Sequence, residues 1–310
     1  MPYTSPHTPE TAEADVGEDL ELRTPDGVVL RATLREPAGP PRATLVFAHA
    51  MFARRSEWER PRGRGLASRY AMRGYRTICF DFRAHGDSAS GSDEATYDGF
   101  VRFDLPTVVA CAKDRGGAVL VVGHSLGGHV ALASQGMGHL GADALVVAGA
   151  NVWHRPFESS IPRFFASSIA AHTLDALVRR LGKFPARALR MGSDDASRGA
   201  LSVFLRTAKE GVWQSDDGHD DYFAALTRVD VPVAAIVSRG DRFICRPVSG
   251  ERFLARTSGP KKLTVIERAE DGTAPPDHMG LATTEKCRSA WDASIAWAHE
   301  TAEGPPPRRP

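Results

Sequence analysis

The chain has 310 residues, a net charge of +1, 42% hydrophobic and 25% charged residues. It is long enough for one large globular domain with an insertion, or for two modest domains. The balanced charge argues against nucleic acid or an anionic membrane as a general partner, and no run approaches the roughly 18 apolar residues of a membrane span.

Residues 1–17 are rich in Pro, Thr and acids and read as a disordered segment. Met1 to Asp19 carries five acidic residues and neither Lys nor Arg, so it is not a secretory signal. The four cysteines, Cys79, Cys111, Cys245 and Cys287, lack paired spacing, which points to a reducing compartment and a cytoplasmic location. Residues 20–23 and 28–34 alternate around Thr24-Pro25-Asp26-Gly27 and predict a β-hairpin. Residues 43–49 are the first buried strand. A helix over 62–73 follows, ending at Gly74, then a strand over 76–82 and a helical stretch over 97–113 that Pro106 should kink.

Val119 to Val122 is an unbroken apolar, β-branched run that enters Gly123-His124-Ser125-Leu126-Gly127-Gly128 and then a helix to about Met137. Buried strands recur at 144–150, 231–237 and 262–266, with helices at 247–256 and 284–301. Strands alternating with helices predict a parallel sheet covered on both faces. The alternation fails once, between Asn151 and Thr227, where helices at 166–181 and 200–209 stand without a buried strand. The organisation expected is a core of 18–150 and 228–301, a helical cap of 151–227 and a disordered tail of 302–310.

Strand, tight turn and helix around a lone serine is the setting of a nucleophile elbow. Chemistry in such a sheet collects beyond the carboxyl ends of the strands, and that rule screens the partners of Ser125. Among eleven histidines, His278 lies in the loop between the last strand and the last helix, stiffened by Pro275 and Pro276. It is the candidate base. Asp241 follows the penultimate strand and is the candidate orienting acid; Asp277 adjoins the histidine, so its side chain diverges, and Asp271 is a weaker alternative. Backbone N–H groups of Leu126, at the helix N-terminus, and Met51, in the loop after the first buried strand, are the candidate oxyanion donors. His49 reads as a residue that holds this loop by hydrogen bonds.

With Ser125, Asp241 and His278 in that order, the chain resembles the α/β-hydrolase superfamily, and within it the esterase, monoacylglycerol-lipase and serine-aminopeptidase-like group. The resemblance covers about Leu20 to Ala298. It is carried by His49-Ala50-Met51-Phe52, by Asp81-Phe82-Arg83-Ala84-His85-Gly86-Asp87-Ser88, by the elbow, by Gly240-Asp241 and by His278-Met279-Gly280. It implies an α/β-hydrolase fold: a mostly parallel eight-stranded sheet flanked by helices, with a helical cap insertion after the sixth strand. It also implies a structural role for the loop around His85. Members usually carry Gly at the position of Ala50, and often at that of Ala84.

The expected reaction is hydrolysis of a carboxylic ester or thioester through an acyl-enzyme on Ser125, with a small-molecule acyl ester as partner and neither cofactor nor metal. Acyl transfer, amide or peptide hydrolysis, and a non-catalytic ligand-binding protein are the alternatives. Phe52 and His124, beside the oxyanion loop and the serine, and the cap aromatics Trp153, Phe157, Phe164, Phe165 and Trp213 are candidate pocket walls; the cap aromatics could equally form a small core of their own. Arg54 and Arg55, just after the oxyanion loop, could favour anionic substrates, but within a run of arginines they read better as part of a solvated helix face. Nothing in the sequence specifies an oligomeric state.

Overall fold

Among the described residues five strand segments are buried along their whole length, and they set the architecture. The computed structural model describes residues 17–88, 95–158 and 160–304; of the disorder expected at 1–17 and 302–310, residues 1–16 and 305–310 lie outside them, whereas Ala302 and Glu303 end the last helix. In chain order the elements are β1 (Glu18–Arg23), β2 (Val29–Arg35), β3 (Thr44–Ala48), α1 (Leu66–Met72), β4 (Arg76–Phe80), α2 (Tyr97–Gly99), α3 (Leu105–Lys113), β5 (Val119–His124), α4 (Leu126–Gly136) and β6 (Ala144–Ala148). The chain continues through α5 (Ile161–Leu181), β7 (Lys183–Phe184), β8 (Ala196–Ser197), α6 (Arg198–Glu210), α7 (Tyr222–Leu226), β9 (Val233–Ser238), α8 (Pro247–Leu254), β10 (Lys261–Ile266), α9 (Gly280–Thr283) and α10 (Arg288–Glu303).

Eight of these strands form one sheet in the order β1-β2-β4-β3-β5-β6-β9-β10. The β1–β2 and β2–β4 pairings are antiparallel and the others parallel. β3, β4, β5, β6 and β9 are buried at every residue, which requires cover on both faces. Their alternate residues enter two cores. Val46, Ile78, Val121 and Val147 pack with α3, α4 and α8 on one face, whereas Leu45, Phe47, Val122 and Ile236 pack with Trp58, α1 and α10 on the other.

The sequence misplaces several boundaries for identifiable reasons. The helix expected from 62 begins at Leu66, because Gly63 is left-handed (φ 73°) and Gly65 presses on the backbone of Trp58 and Glu59. Pro106 lies in the first turn of α3, and a π-helical turn, Phe100–Asp104, precedes it and accommodates the missing N–H. Residues 284–301 are not one helix, since Thr284 is extended (φ −122°, ψ 163°); the last helix starts at Arg288 and runs to Glu303. Between β6 and β9 the chain is mainly helical, but it also contains the two-residue β7–β8 pair. Ala171, Val178, Phe184, Leu201 and Leu205 form a separate small core there, against which Met51, Phe52, Trp153 and Phe204 pack. Among the described residues no helix is long and apolar enough to cross a membrane.

β4 and β5 flank β3 on opposite sides, so the strand order reverses around β3 and opens a crevice at its carboxyl end. Two buried histidines stiffen this region. His49, just past β3, donates from Nδ1 to the Ala50 carbonyl (2.7 Å) and accepts at Nε2 from the Phe82 N–H (3.1 Å). His129, on α4, pairs with the Tyr97 hydroxyl (2.9 Å) and stacks on its ring. Burial, assisted by the neighbouring His85 and His278 respectively, pushes both pKa values down to about 3.

Two predictions follow from this packing. A Cβ on Gly127 would lie 2.2 Å from the Ala48 carbonyl oxygen, so Gly127→Ala should lower unfolding free energy by about 2–3 kcal/mol, measured as a lower denaturant midpoint. His49 and His129 stay neutral in the folded chain but protonate near pH 6.5 once unfolded. Stability should therefore fall as pH drops from 6.5 toward 3, and His129→Gln should make that fall shallower in denaturant titrations across the range.

Candidate active site

Ser125 links β5 to α4 with φ 52° and ψ −109°, a backbone conformation rarely adopted by a side-chain-bearing residue. The turn is held by hydrogen bonds from the Ser125 N–H to the Ala148 carbonyl (2.8 Å) and from the Gly127 N–H to the His49 carbonyl (3.1 Å). It closes only because side chains are missing: a Cβ on Gly123 would meet the Gly127 and Gly128 backbone at 2.6 Å. The serine is thus locked between the ends of β3 and β6, at the N-terminus of α4.

The structure brings Ser125, His278 and Asp241 together. His278 Nε2 lies 2.8 Å from Ser125 Oγ, and His278 Nδ1 lies 2.5 Å from Asp241 Oδ2. Asp241 is buried and also accepts from the backbone N–H groups of Ile244 and Cys245, each at 3.0 Å. Burial acts to raise its pKa, but the His278 hydrogen bond and charge, with the two N–H donors, outweigh it and hold the carboxyl below the usual range. Asp277 and Asp271 serve their own turns, accepting from the N–H groups of Gly280 and Thr273.

The loops bearing the acid and the histidine are fastened to each other. Ser238 Oγ donates to the Pro276 carbonyl (2.5 Å), and a Cβ on Gly240 would come within 2.3 Å of that same oxygen. His124 lies behind the histidine rather than in a pocket. Its Nε2 donates to the His278 carbonyl (2.9 Å), and its Nδ1 sits 3.3 Å from Glu57 Oε1, which also accepts the Ala50 N–H (3.1 Å).

Met51 and Leu126 both line the cavity in front of Ser125. Among the described residues neither backbone N–H has an acceptor. Ala50 avoids positive φ, whereas Ala84 takes φ 60°. His85 is structural: its Nε2 lies 2.7 Å from the Met51 carbonyl and its Nδ1 3.0 Å from the Arg83 carbonyl, pinning the loop that carries Met51.

The cavity measures ≈ 290 Å³ and its walls are predominantly apolar. Phe52 and Trp153 line it. Four expected aromatics do not. Phe157 and Trp213 are buried against Phe253 and Phe223 in the main core, Phe164 lines a separate small hollow, and Phe165 is exposed on α5. The walls instead include Leu174 of α5, Leu201 and Phe204 of α6, Phe184, Met191 and Ile244. The apolar spacing of Leu201, Phe204, Leu205 and Ala208 is a helical stripe and the one sequence signal that could have found part of this wall.

Arg54 and Arg55 are not a solvated helix face. Arg54 grips Asp194 of the insertion with two bonds of 2.7 Å, and Arg55 pairs with buried Asp81 and with Asp87. Among the described residues no group of three or more His, Cys, Asp or Glu side chains is arranged to hold a metal ion.

No curated protein matches the sequence significantly. Solved structures share its fold at low identity. An esterase from Exiguobacterium antarcticum superposes with a TM-score of 0.63 at 16% identity, covering 91% of this chain and 100% of that one. A thermophilic esterase from Thermogutta terrifontis gives 0.60 at 15% identity, over 91% and 100%. A monoacylglycerol lipase from Paleococcus ferrophilus gives 0.59 at 15% identity, over 87% and 98%. The sequence model of the alpha/beta hydrolase family matches residues 45–282, a span that includes the serine, the acid and the histidine, and the chain belongs to that family.

Proposed function

We propose that the protein is a serine hydrolase acting on carboxylic esters or thioesters. The observation that carries this reading is one continuous relay, Asp241 to His278 to Ser125 Oγ, ending at an apolar cavity beside two backbone N–H groups that lack an acceptor among the described residues. Membership of the alpha/beta hydrolase family, and esterases and a lipase among structures of the same fold, support it.

In the proposed reaction Ser125 Oγ bonds to the acyl carbon while its proton passes to His278 Nε2. The carbonyl π pair moves onto oxygen, where the Met51 and Leu126 N–H groups receive the charge; a donor of this kind is worth roughly 3 kcal/mol. Asp241 fixes the Nδ1–H tautomer and stabilises the imidazolium. Collapse of the intermediate breaks the bond to the leaving oxygen or sulfur, which takes the proton from His278 and departs, leaving an acyl-enzyme. Water then loses a proton to His278 and attacks the acyl carbon; collapse breaks the bond to Ser125 Oγ, which takes that proton from His278 as the acid leaves.

Ser125→Ala should abolish hydrolysis of short-chain 4-nitrophenyl esters and labelling by a fluorophosphonate probe; wild-type turnover in that variant would refute the reading. Asp241→Asn should lower kcat on the order of 10⁴-fold, read in steady-state assays, while the fold is retained. Phe204→Ala, which deepens the cavity wall, should move the optimum of a 4-nitrophenyl acyl series toward longer chains, measured as kcat/KM at each length.

A further inference from the structure

A second cavity, ≈ 460 Å³, adjoins the one in front of Ser125. Phe52, Met191 and Met279 line both, so the two cavities share a wall. The chemistry of the two differs. The first is walled by aliphatic and aromatic groups, whereas the second carries Arg54, Arg60, Arg187 and Arg190.

Charge bookkeeping within the second cavity leaves a surplus of cations. Arg54 is neutralised by Asp194, and the nearby Asp195 pairs with Lys183 at 2.9 Å and accepts the Arg187 backbone N–H at 3.0 Å. Among the described residues the guanidinium groups of Arg60, Arg187 and Arg190 have no acidic partner, and the one carboxylate in the wall is buried Glu57. Arg190 also holds φ 55°, a left-handed position that glycine would occupy without strain. The turn accepts that cost with an arginine in place.

We propose that this cavity is an anion subsite for the leaving group, and that the substrates are esters or thioesters joining an apolar acyl chain to an alcohol or thiol that bears a carboxylate or phosphate. The proposal rests on the serine-hydrolase reading above. Three observations assign the sides. The apolar cavity suits a hydrocarbon chain. Thr283, one helical turn beyond Met279, lines the cationic cavity and not the apolar one, while Met279, next to His278, stands between the two. The leaving oxygen must lie near His278 Nε2 to receive its proton. Guanidinium groups recognise carboxylate and phosphate oxygens by paired, charge-assisted hydrogen bonds.

The test compares 4-nitrophenyl butyrate, 3-carboxy-4-nitrophenyl butyrate and the mono-4-nitrophenyl ester of glutaric acid. In Arg187→Ala/Arg190→Ala the kcat/KM ratio of the second ester to the first should fall about tenfold relative to wild type, and added salt should reduce the wild-type ratio. Lys262→Ala, at the amino end of β10, should leave the ratio unchanged. A ratio that moves less than about twofold in the double variant overturns the proposal, and a fall confined to the glutarate ester overturns the assignment of sides. Calorimetric titration of 3-carboxy-4-nitrophenol against 4-nitrophenol reads the subsite without turnover. Arginine-dependent binding of the carboxylated phenol alone supports it even if no ester is cleaved, which would instead sink the hydrolase reading. Equal or absent binding of the two phenols to the wild-type chain overturns it.

Discussion

The contact on which the rest of the site depends is that of Gly127 with the Ala48 carbonyl, where β5, its turn and α4 press against the end of β3. The absence of a side chain there allows Gly127 to donate to the His49 carbonyl. That bond sets the distance between the Ser125 turn and the Met51 loop. Ser125 accepts φ 52° as the consequence, and the backbone strain is borne by the surrounding sheet rather than by the turn itself. Strands buried on both faces supply the rigidity that makes this possible.

A second layer of contacts keeps the partners of Ser125 in register. Glu57 takes the Ala50 N–H and approaches His124, and His124 in turn holds the His278 carbonyl. One run of hydrogen bonds therefore joins the loop carrying Met51 to the backbone of the histidine. Gly149, at φ 59°, leaves room for the imidazole, whose Cε1 would lie 3.0 Å from a Cβ at that position. Positioning of this kind, supplied by groups that never touch a substrate, determines whether a geometry of a few ångströms survives thermal motion.

The frame of the molecule and the trio of Ser125, Asp241 and His278 were readable from the sequence because both follow from periodicity. Buried strands announce themselves as β-branched apolar runs, and the crevice rule ties side chains just beyond those runs to one region of space. The walls of the cavity obey no such rule. Phe157 and Trp213 belong to the main core because the chain between β6 and β9 folds back onto α4 and α8, and Phe204 faces the serine because α6 lies over it. Arg54 and Asp194 are 140 residues apart in sequence, and nothing local marks them as partners. Pro106 shows an intermediate case: its kink is legible, but the π-helical turn that absorbs it depends on how α3 packs.

The segment Gly192 to Asp194 gives the helical insertion a mechanical role. Its Ser193 and Asp194 N–H groups both donate to the Phe52 carbonyl, the Asp194 carboxylate grips Arg54 and takes the Gly86 N–H, and Gly192 packs too closely on Phe52 for any side chain. The insertion is thus riveted to the residues immediately after Met51, while the long α5 is tied to the core chiefly through its own small cluster. A displacement of the rivet pulls on the loop that bears the Met51 N–H, so the roof of the cavity and the Met51 edge of the site move as one lever. In the reaction proposed above, substrate admission at that end is inseparable from the alignment of the groups that act on it.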